Sequence, residues 1–461
     1  MPARILFLCY HGVGHINPCF PLARILENEG HTVTLATVAH FNGHVTRSGF
    51  HHYPLKSVPF GLGFESWVNA QRKARFKYWA DLTDRYFDRL YHERERELTT
   101  ALDALNPDII FFDATQATDF IVLYNTMKER HIGHAMLHAM FPTHVVPGRP
   151  PVDSTLVPGD DNEETQALKR MNAKLNRTDF KQRLLYLGIS DRFLISRRLK
   201  KNRIPANVRL DLPSLFDFQT NNVPSFVLAP RQFDYPSFQN PVNYHYVGFM
   251  QAEVNLPAFE EWSKVKSVIQ RRRASGSRLV YCSFGTIASG REEQTDAFLL
   301  RLADAVTRDN NQLVVSIGTR RTAPAGLIRK NVWVFPSVPQ QELLRDSDAF
   351  ITHGGLSSIK EAIEAIVPML MIVVHQQFDP PGNAARVQFH GMGILGDIDA
   401  DTDRIQTQLS NLMNDETFRL NIKRLRNENN AGAGETFLAL FNQLLDKTRQ
   451  LQNDGIQNEN Q

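Results

Sequence analysis

NVWVFPSVPQQELLRDSDAFITHGGLSSIKEAIEAIVPMLMIVVHQQFDPPGNAARVQFHGMGI, residues 331–394, is the stretch on which the fold turns. Ala349–Thr352 reads as a short apolar strand, His353-Gly354-Gly355 as a turn, and residues 356–366 as a good helix former. A second apolar strand over 369–374 follows, then a loop carrying Asp379 and Asn383. A glycine turn feeding a helix leaves backbone N–H groups pointing outward, with the positive end of the helix dipole behind them. Such a helix mouth accommodates a phosphate or pyrophosphate. Ser357 and Ser358 add hydroxyl donors in the first turn, and His353 adds a ring donor just ahead of it.

The start of the chain has the same logic. Residues 4–9 form an apolar run with the pattern of a buried parallel strand. The turn Tyr10-His11-Gly12-Val13-Gly14-His15 leads to a helix from about Pro18, with Leu22, Ile25 and Leu26 on one face and Gly30 closing it. Residues 32–37 are the next strand, which makes a βαβ unit and the opening of a doubly wound sheet. A nicotinamide dinucleotide site is disfavoured: Gly12 and Gly14 lack the third glycine of the fingerprint, and no acid ends the second strand. Residues 106–113 form a strand ending in a carboxylate, Asp113, and ligands in open α/β sheets gather at the carboxyl ends of strands. Asp113 also suits a helix N-cap, and Asp119 is a competing acid. His15 and His11 are rival candidates for a general base.

At 461 residues the chain is too long for one ordinary core, so two domains are expected. With 42% hydrophobic and 22% charged residues its composition is that of a soluble globular protein. A net charge of +3 argues against a dedicated nucleic-acid binder. Cys9, Cys19 and Cys282 show neither a disulfide framework nor zinc-ligand spacing. The apolar run 367–374 contains Pro368 and is far short of a bilayer span.

Five elements in order resemble the nucleotide-sugar signature of the UDP-glycosyltransferase family: Pro339-Gln340, His353-x-Gly355-x-x-Ser358, Glu361, Val367-Pro368, and Asp379 with Asn383-Ala384. Gly14 to Pro18, GHINP, is similar to the family's first loop. The resemblance implies an α/β GT-B fold, two Rossmann-like doubly wound parallel-sheet domains facing each other across a cleft. It implies an inverting glycosyltransferase that moves a sugar from a nucleotide diphosphate, UDP or dTDP, to a hydroxyl of a hydrophobic small molecule or lipid. His15 would be the catalytic base and Asp113 the carboxylate behind it. Thr286, His353 and the amides from Gly354 to Ser358 would meet the diphosphate, Gln340 the base edge, Glu361 the ribose, and Asp379, with Asn383 beside it, the sugar. No metal or cofactor is implied beyond the nucleotide sugar itself. Animal members carry a signal peptide and a tail anchor; neither pattern shows here, which places the chain with cytoplasmic members. Three departures bear on the donor. Ser337 stands where the family usually has a uracil-stacking Trp, Ser357 replaces an Asn, and Asp379-Pro380 replaces an Asp-Gln pair. Trp333 and Phe335 are the nearby aromatics. A GT-B epimerase, or an inactive nucleotide-sugar-binding protein, are the alternatives.

The domain expectation is an acceptor-binding part over 1–250, a linker at 251–257, a donor-binding part over 258–430, a helix over 431–451 packing back on the first part, and a disordered tail over 452–461. Residues 64–92 read as helical, with Phe76, Trp79, Thr83, Tyr86 and Leu90 on one stripe expected in the core or lining an acceptor pocket. Residues 141–159, rich in Pro and Gly, read as a loop or lid. Between Lys169 and Arg203 stand twelve Lys or Arg and only two acids, interleaved with apolar residues. That pattern suits a solvated helix face or a peripheral contact with an anionic membrane.

Overall fold

The computed structural model describes residues 2–73, 76–159, 161–208, 220–250, 260–285, 291–319, 321–374, 378–430 and 432–459. Within them the chain builds two parallel sheets. The first contains β1 (Arg4–Leu8), β2 (Thr32–Val38), β3 (His51–Leu55), β4 (Ile109–Asp113), β5 (Gly133–His138), β6 (Ser225–Val227) and β7 (Tyr244–Tyr246), in the order β3-β2-β1-β4-β5-β6-β7. The second contains β8 (Leu279–Ser283), β9 (Gln312–Ser316), β10 (Val332–Phe335), β11 (Ala349–Thr352), β12 (Met369–Met371) and β13 (Gly393–Leu395), in the order β10-β9-β8-β11-β12-β13. Central strands are buried on both faces: all five residues of β4 and of β8 are inaccessible. Helices therefore cover both sides, as parallel sheets require.

Each strand order reverses once, between β1 and β4 in the first sheet and between β8 and β11 in the second. Loops leaving the two strands at a reversal splay apart and open a crevice at their carboxyl ends. His15 follows β1 and Asp113 ends β4; His353 follows β11. The site residues thus sit at the two crevices, for a topological reason.

A core cluster joins the two halves: Phe141, Val152, Phe233 and Phe249 pack with Leu356, Ile359, Ala384 and Val387. The final helix, Ala433–Glu459, returns to the first sheet and buries Phe437, Phe441 and Leu445 against Ile5, Phe7 and Phe111.

Several expectations are corrected. His15 lies in a one-turn helix, Val13–Ile16, with the main helix starting at Cys19. Asn383 stands on a helix, Pro380–Phe389, that begins right after Asp379. The last helix continues through 452–459, which had been assigned to a disordered tail, because Leu445 anchors it and no proline follows. The 141–159 segment is irregular, but Phe141, Arg149 and Val152 are buried in the seam between the sheets, so its first half is packed structure and not a lid. The aromatic stripe is turned outward: Trp79 and Tyr86 are 62% and 65% exposed, and only Leu90 enters the core. The linker residues 251–257 lie outside the described residues. Among the described residues no helix is long and apolar enough to cross a membrane.

Candidate active site

His15 and Asp113, 98 residues apart in sequence, meet with Nδ1 2.9 Å from Oδ2. A carboxylate only accepts, so Nδ1 carries the proton and Nε2 keeps a lone pair. The two oxygens of Asp113 divide the work. Oδ2 faces His15 and the Tyr10 amide, while Oδ1 accepts from the Thr115 amide at 2.9 Å and caps the short helix after β4. Burial alone would lower the His15 pKa; the charge and hydrogen bond of Asp113 outweigh it, Asp379 adds to them, and the net shift is upward. Burial likewise works against the Asp113 carboxylate, but His15 and the Thr115 contacts hold its pKa below the ordinary value.

The rivals separate. Asp119 is fully buried in a two-pronged pair with Arg94, at 2.9 and 2.5 Å, and is a structural acid. His11 has its pKa lowered, first by burial and then by the charge of His15. Its ring lies 5.5 Å from Trp67 and 6.3 Å from Phe64, so it belongs to an aromatic wall beside the dyad.

Across the crevice, the helix Leu356–Ala365 has Gly355 at its N-cap and no side-chain cap. The amides of Ser358 and Ile359 both bond the Gly355 carbonyl, leaving those of Leu356 and Ser357 without an intrahelical acceptor. Two glycines make this approach feasible. Gly354 has φ +101°, and a Cβ there would stand 2.7 Å from the Pro380 carbonyl oxygen. Gly285, at φ +74°, leaves room for the His353 ring, which a Cβ would meet at 2.7 Å. Thr286 lies outside the described residues.

The remaining signature residues bond to one another. Tyr281 donates to Gln340 Oε1 at 2.8 Å, which turns the Gln340 amide nitrogen toward Ser358 Oγ, 3.2 Å away, and toward the Glu361 carboxylate. Gln341 also donates to Glu361. Burial pushes the Glu361 pKa up, against the pull of those two amides. Asn383 Nδ2 donates to the Gly354 carbonyl at 2.9 Å and to Asp379 Oδ2 at 2.7 Å, so it clamps the glycine turn to Asp379. Asp379 is itself shifted upward, by burial first, with His15 among the groups that oppose the shift. His15 and Asp379 thus each favour the charged form of the other. Phe335 packs edge-on against Trp262 in the core, whereas Trp333 is only partly buried.

One buried ionic cluster is invisible locally in the sequence. Asp234, after β6, is fully buried against Arg386 at 2.7 and 3.0 Å, with Arg149 Nε at 3.5 Å and the Tyr246 hydroxyl at 2.6 Å. Arg386 belongs to the helix that carries Asn383, so this cluster ties that helix to the first sheet. The Gly382 amide reinforces it by donating to the Val152 carbonyl at 2.8 Å. The partners are 152 residues apart, and no periodicity pairs them.

Residues 300–437 match the model of the erythromycin biosynthesis protein CIII-like C-terminal domain. The chain is similar to 4'-demethylrebeccamycin synthase of Lentzea aerocolonigenes, 24% identical over 453 residues, which are 93% of this chain and 96% of that protein. It is 27% identical over 155 residues to the uncharacterized UDP-glucosyltransferase YdhE of Bacillus subtilis, a match spanning 32% of this chain and 36% of that one. Among solved structures, the glycotransferase of kitacinnamycin superposes with a TM-score of 0.69 at 21% identity, covering 96% of this chain and 100% of its own. The fold is therefore GT-B.

Proposed function

We propose that this chain is a GT-B glycosyltransferase of the macrolide and antibiotic type that transfers a sugar from a nucleotide diphosphate, with UDP the first candidate, to a hydroxyl of a hydrophobic small molecule or lipid, with inversion at the anomeric carbon. The observation that carries this reading is the His15–Asp113 pair at the end of β1 and β4, 2.9 Å from Nδ1 to Oδ2, in a chain whose second sheet carries the uncapped glycine turn before Leu356.

Three demands must be met: the acceptor loses a proton, the diphosphate departs, and positive charge develops at the anomeric carbon. His15 Nε2 takes the proton, and Asp113 stabilises the imidazolium without itself becoming protonated. The diphosphate rests on the uncapped amides of Leu356 and Ser357, with the hydroxyls of Ser357 and Ser358 and the ring of His353 beside them. Preorganised donors of this kind are each worth roughly 3 kcal/mol of barrier. Gln340 and Glu361, already aligned by Tyr281 and Gln341, exchange their mutual hydrogen bond for the base and the ribose. Asp379, fixed by Asn383, faces the sugar hydroxyls. The aromatic wall of Tyr10, His11, Phe64 and Trp67 offers the acceptor an apolar surface. The name of the YdhE relative supports UDP as donor, and the rebeccamycin synthase relative supports a small-molecule acceptor.

Thermal unfolding in the presence of UDP-, TDP- and GDP-sugars tests the proposal, since a ligand bound only by the folded state raises its apparent stability. A nucleotide sugar that raises Tm, followed by transfer to an acceptor from a screened panel, is the expected result. If none of the donors moves Tm, the donor site is misassigned.

A further inference from the structure

The helix Lys77–Tyr86 is built inside out. Its charged stripe, Asp81 and Arg85, is about 1% exposed, while Trp79 and Tyr86 stand in solvent, followed by Phe87 at 66%. The burial of that charged stripe has a cause: Arg85 pairs with Asp81 and Asp191, and Asp84 pairs with Arg72. What it leaves outside is apolar.

A second apolar set faces out of the adjoining helix, Asp161–Leu185, and the turn after it. Phe180, Leu184 and Leu187 are 67%, 75% and 74% exposed. Arg177, Phe180, Lys181 and Leu184 follow the i, i+3, i+4 spacing of one helix face, so cations and apolar side chains alternate on it. The two sets flank a common seam. The Tyr78 hydroxyl donates to the Leu185 carbonyl at 2.8 Å, the Arg85 guanidinium lies 4.1 Å over the Tyr186 ring, and Arg197 donates to the Arg85 carbonyl.

The acids of this region are turned to neighbours: Asp179 to Arg183 and Ser190, Asp191 to Arg85 and Gln182, Asp88 to Arg197 and Arg198. Lys77, Lys181 and Arg192 remain exposed among the apolar tips. Contiguous exposed apolar surface signals a partner, and its cationic fringe selects one with negative charge. A second copy of this chain would set one basic surface on another. A nucleic acid would find no use for aliphatic tips such as Leu184 and Leu187.

We propose that this face docks on an anionic lipid bilayer, with the aromatic and leucine side chains entering the headgroup boundary and the lysines and arginines meeting lipid phosphates. Trp67, on the helix Phe64–Gln71 that packs between this face and His11, places the docked surface beside the aromatic wall of the crevice. Docking stands on the surface alone; only delivery of a membrane-dissolved acceptor to His15 rests on the transferase reading.

The test is co-sedimentation of the full chain with phosphatidylcholine vesicles, alone and with about 30 mol % phosphatidylglycerol, at low and high salt. Binding is expected to the anionic vesicles at low salt. It should weaken about tenfold in Lys181→Glu and in the double variant Leu184→Ser, Leu187→Ser. These side chains are exposed, so both variants should keep the parent's melting temperature and its stabilisation by UDP, which reads the donor site separately. The proposal is overturned if the parent ignores anionic vesicles, if parent and variants sediment alike, or if light scattering shows a dimer that the leucine variants split.

Discussion

Asp113 shows how one side chain can make two separate contacts at once. One oxygen caps the helix after β4 and the other meets His15, so the two contacts are made by different oxygens of the same carboxylate. Asp113→Asn should keep the cap, since an amide oxygen can still accept, but remove the charge that raises the His15 pKa. The expected outcome is a drop in kcat of roughly 10²- to 10⁴-fold, with the acid limb of the pH–rate profile moving to lower pH. The sign follows from the base having to be neutral: in the parent, activity falls as pH drops through the raised His15 pKa, and without Asp113 that pKa falls too. A profile whose acid limb stays in place would assign it to another group. His15→Ala should lower turnover by a similar factor while leaving UDP affinity, measured by calorimetry, nearly intact; unchanged turnover would remove His15 from the mechanism.

At the scale of elements, the glycine turn and the buried ionic cluster both position the helix Pro380–Phe389. Gly354→Ala would put a methyl group 2.7 Å from the Pro380 carbonyl at a φ of +101°. The variant should lose a few kcal/mol of stability, roughly, from strain and overpacking. It should also bind UDP more weakly than Gly326→Ala, where the backbone has φ +82° but a Cβ meets nothing. Equal losses in both would mean that φ alone matters.

Asp234 is the other support. Burial opposes its ionisation, but Arg386 and Arg149 hold its pKa far below the ordinary value. A depressed carboxylate stabilises the fold above its unfolded pKa of about 3.9, and that stability disappears as pH falls toward the folded value. Asp234→Asn strands two buried guanidinium groups and should cost roughly 3–5 kcal/mol near pH 7 in urea unfolding. The deficit should shrink steadily below about pH 4, where the parent's unfolded chain takes up a proton that folded Asp234 still does without. This cluster also marks what the sequence could show. Apolar runs announced the strands and glycine spacing announced the turn before Leu356, because both are local signals. The stripe Trp79, Thr83, Tyr86 has a helical period, but periodicity does not say which face is buried. That was decided by Asp191 and Arg72, which neutralise the opposite stripe from elsewhere in the chain. The clamp of Asn383 on Gly354 likewise has no local signal, since it requires knowing the turn's three-dimensional path.

The whole molecule poses the question of whether two sheets mean two unfolding units. Two-domain chains commonly unfold in separate steps, and the sheets here are each complete. Yet two features bind them. The seam around Phe141, Phe233, Leu356 and Val387 is one continuous core, and the last helix leaves the second half to bury Phe437 and Phe441 against Phe111 of the first sheet. Neither half can therefore open without exposing apolar surface of the other. The expected behaviour is one cooperative transition in urea, in which stabilisation by UDP, sensed by the second sheet, shifts tryptophan fluorescence and far-UV circular dichroism together. Phe441→Ala removes a buried ring from the clasp at a cost of roughly 3–5 kcal/mol, borne by the first sheet. In that variant the transition should split, and UDP should then move only the later step. Two separate transitions in the parent would mean that the seam and the returning helix are docked surfaces, each weaker than the cores they join.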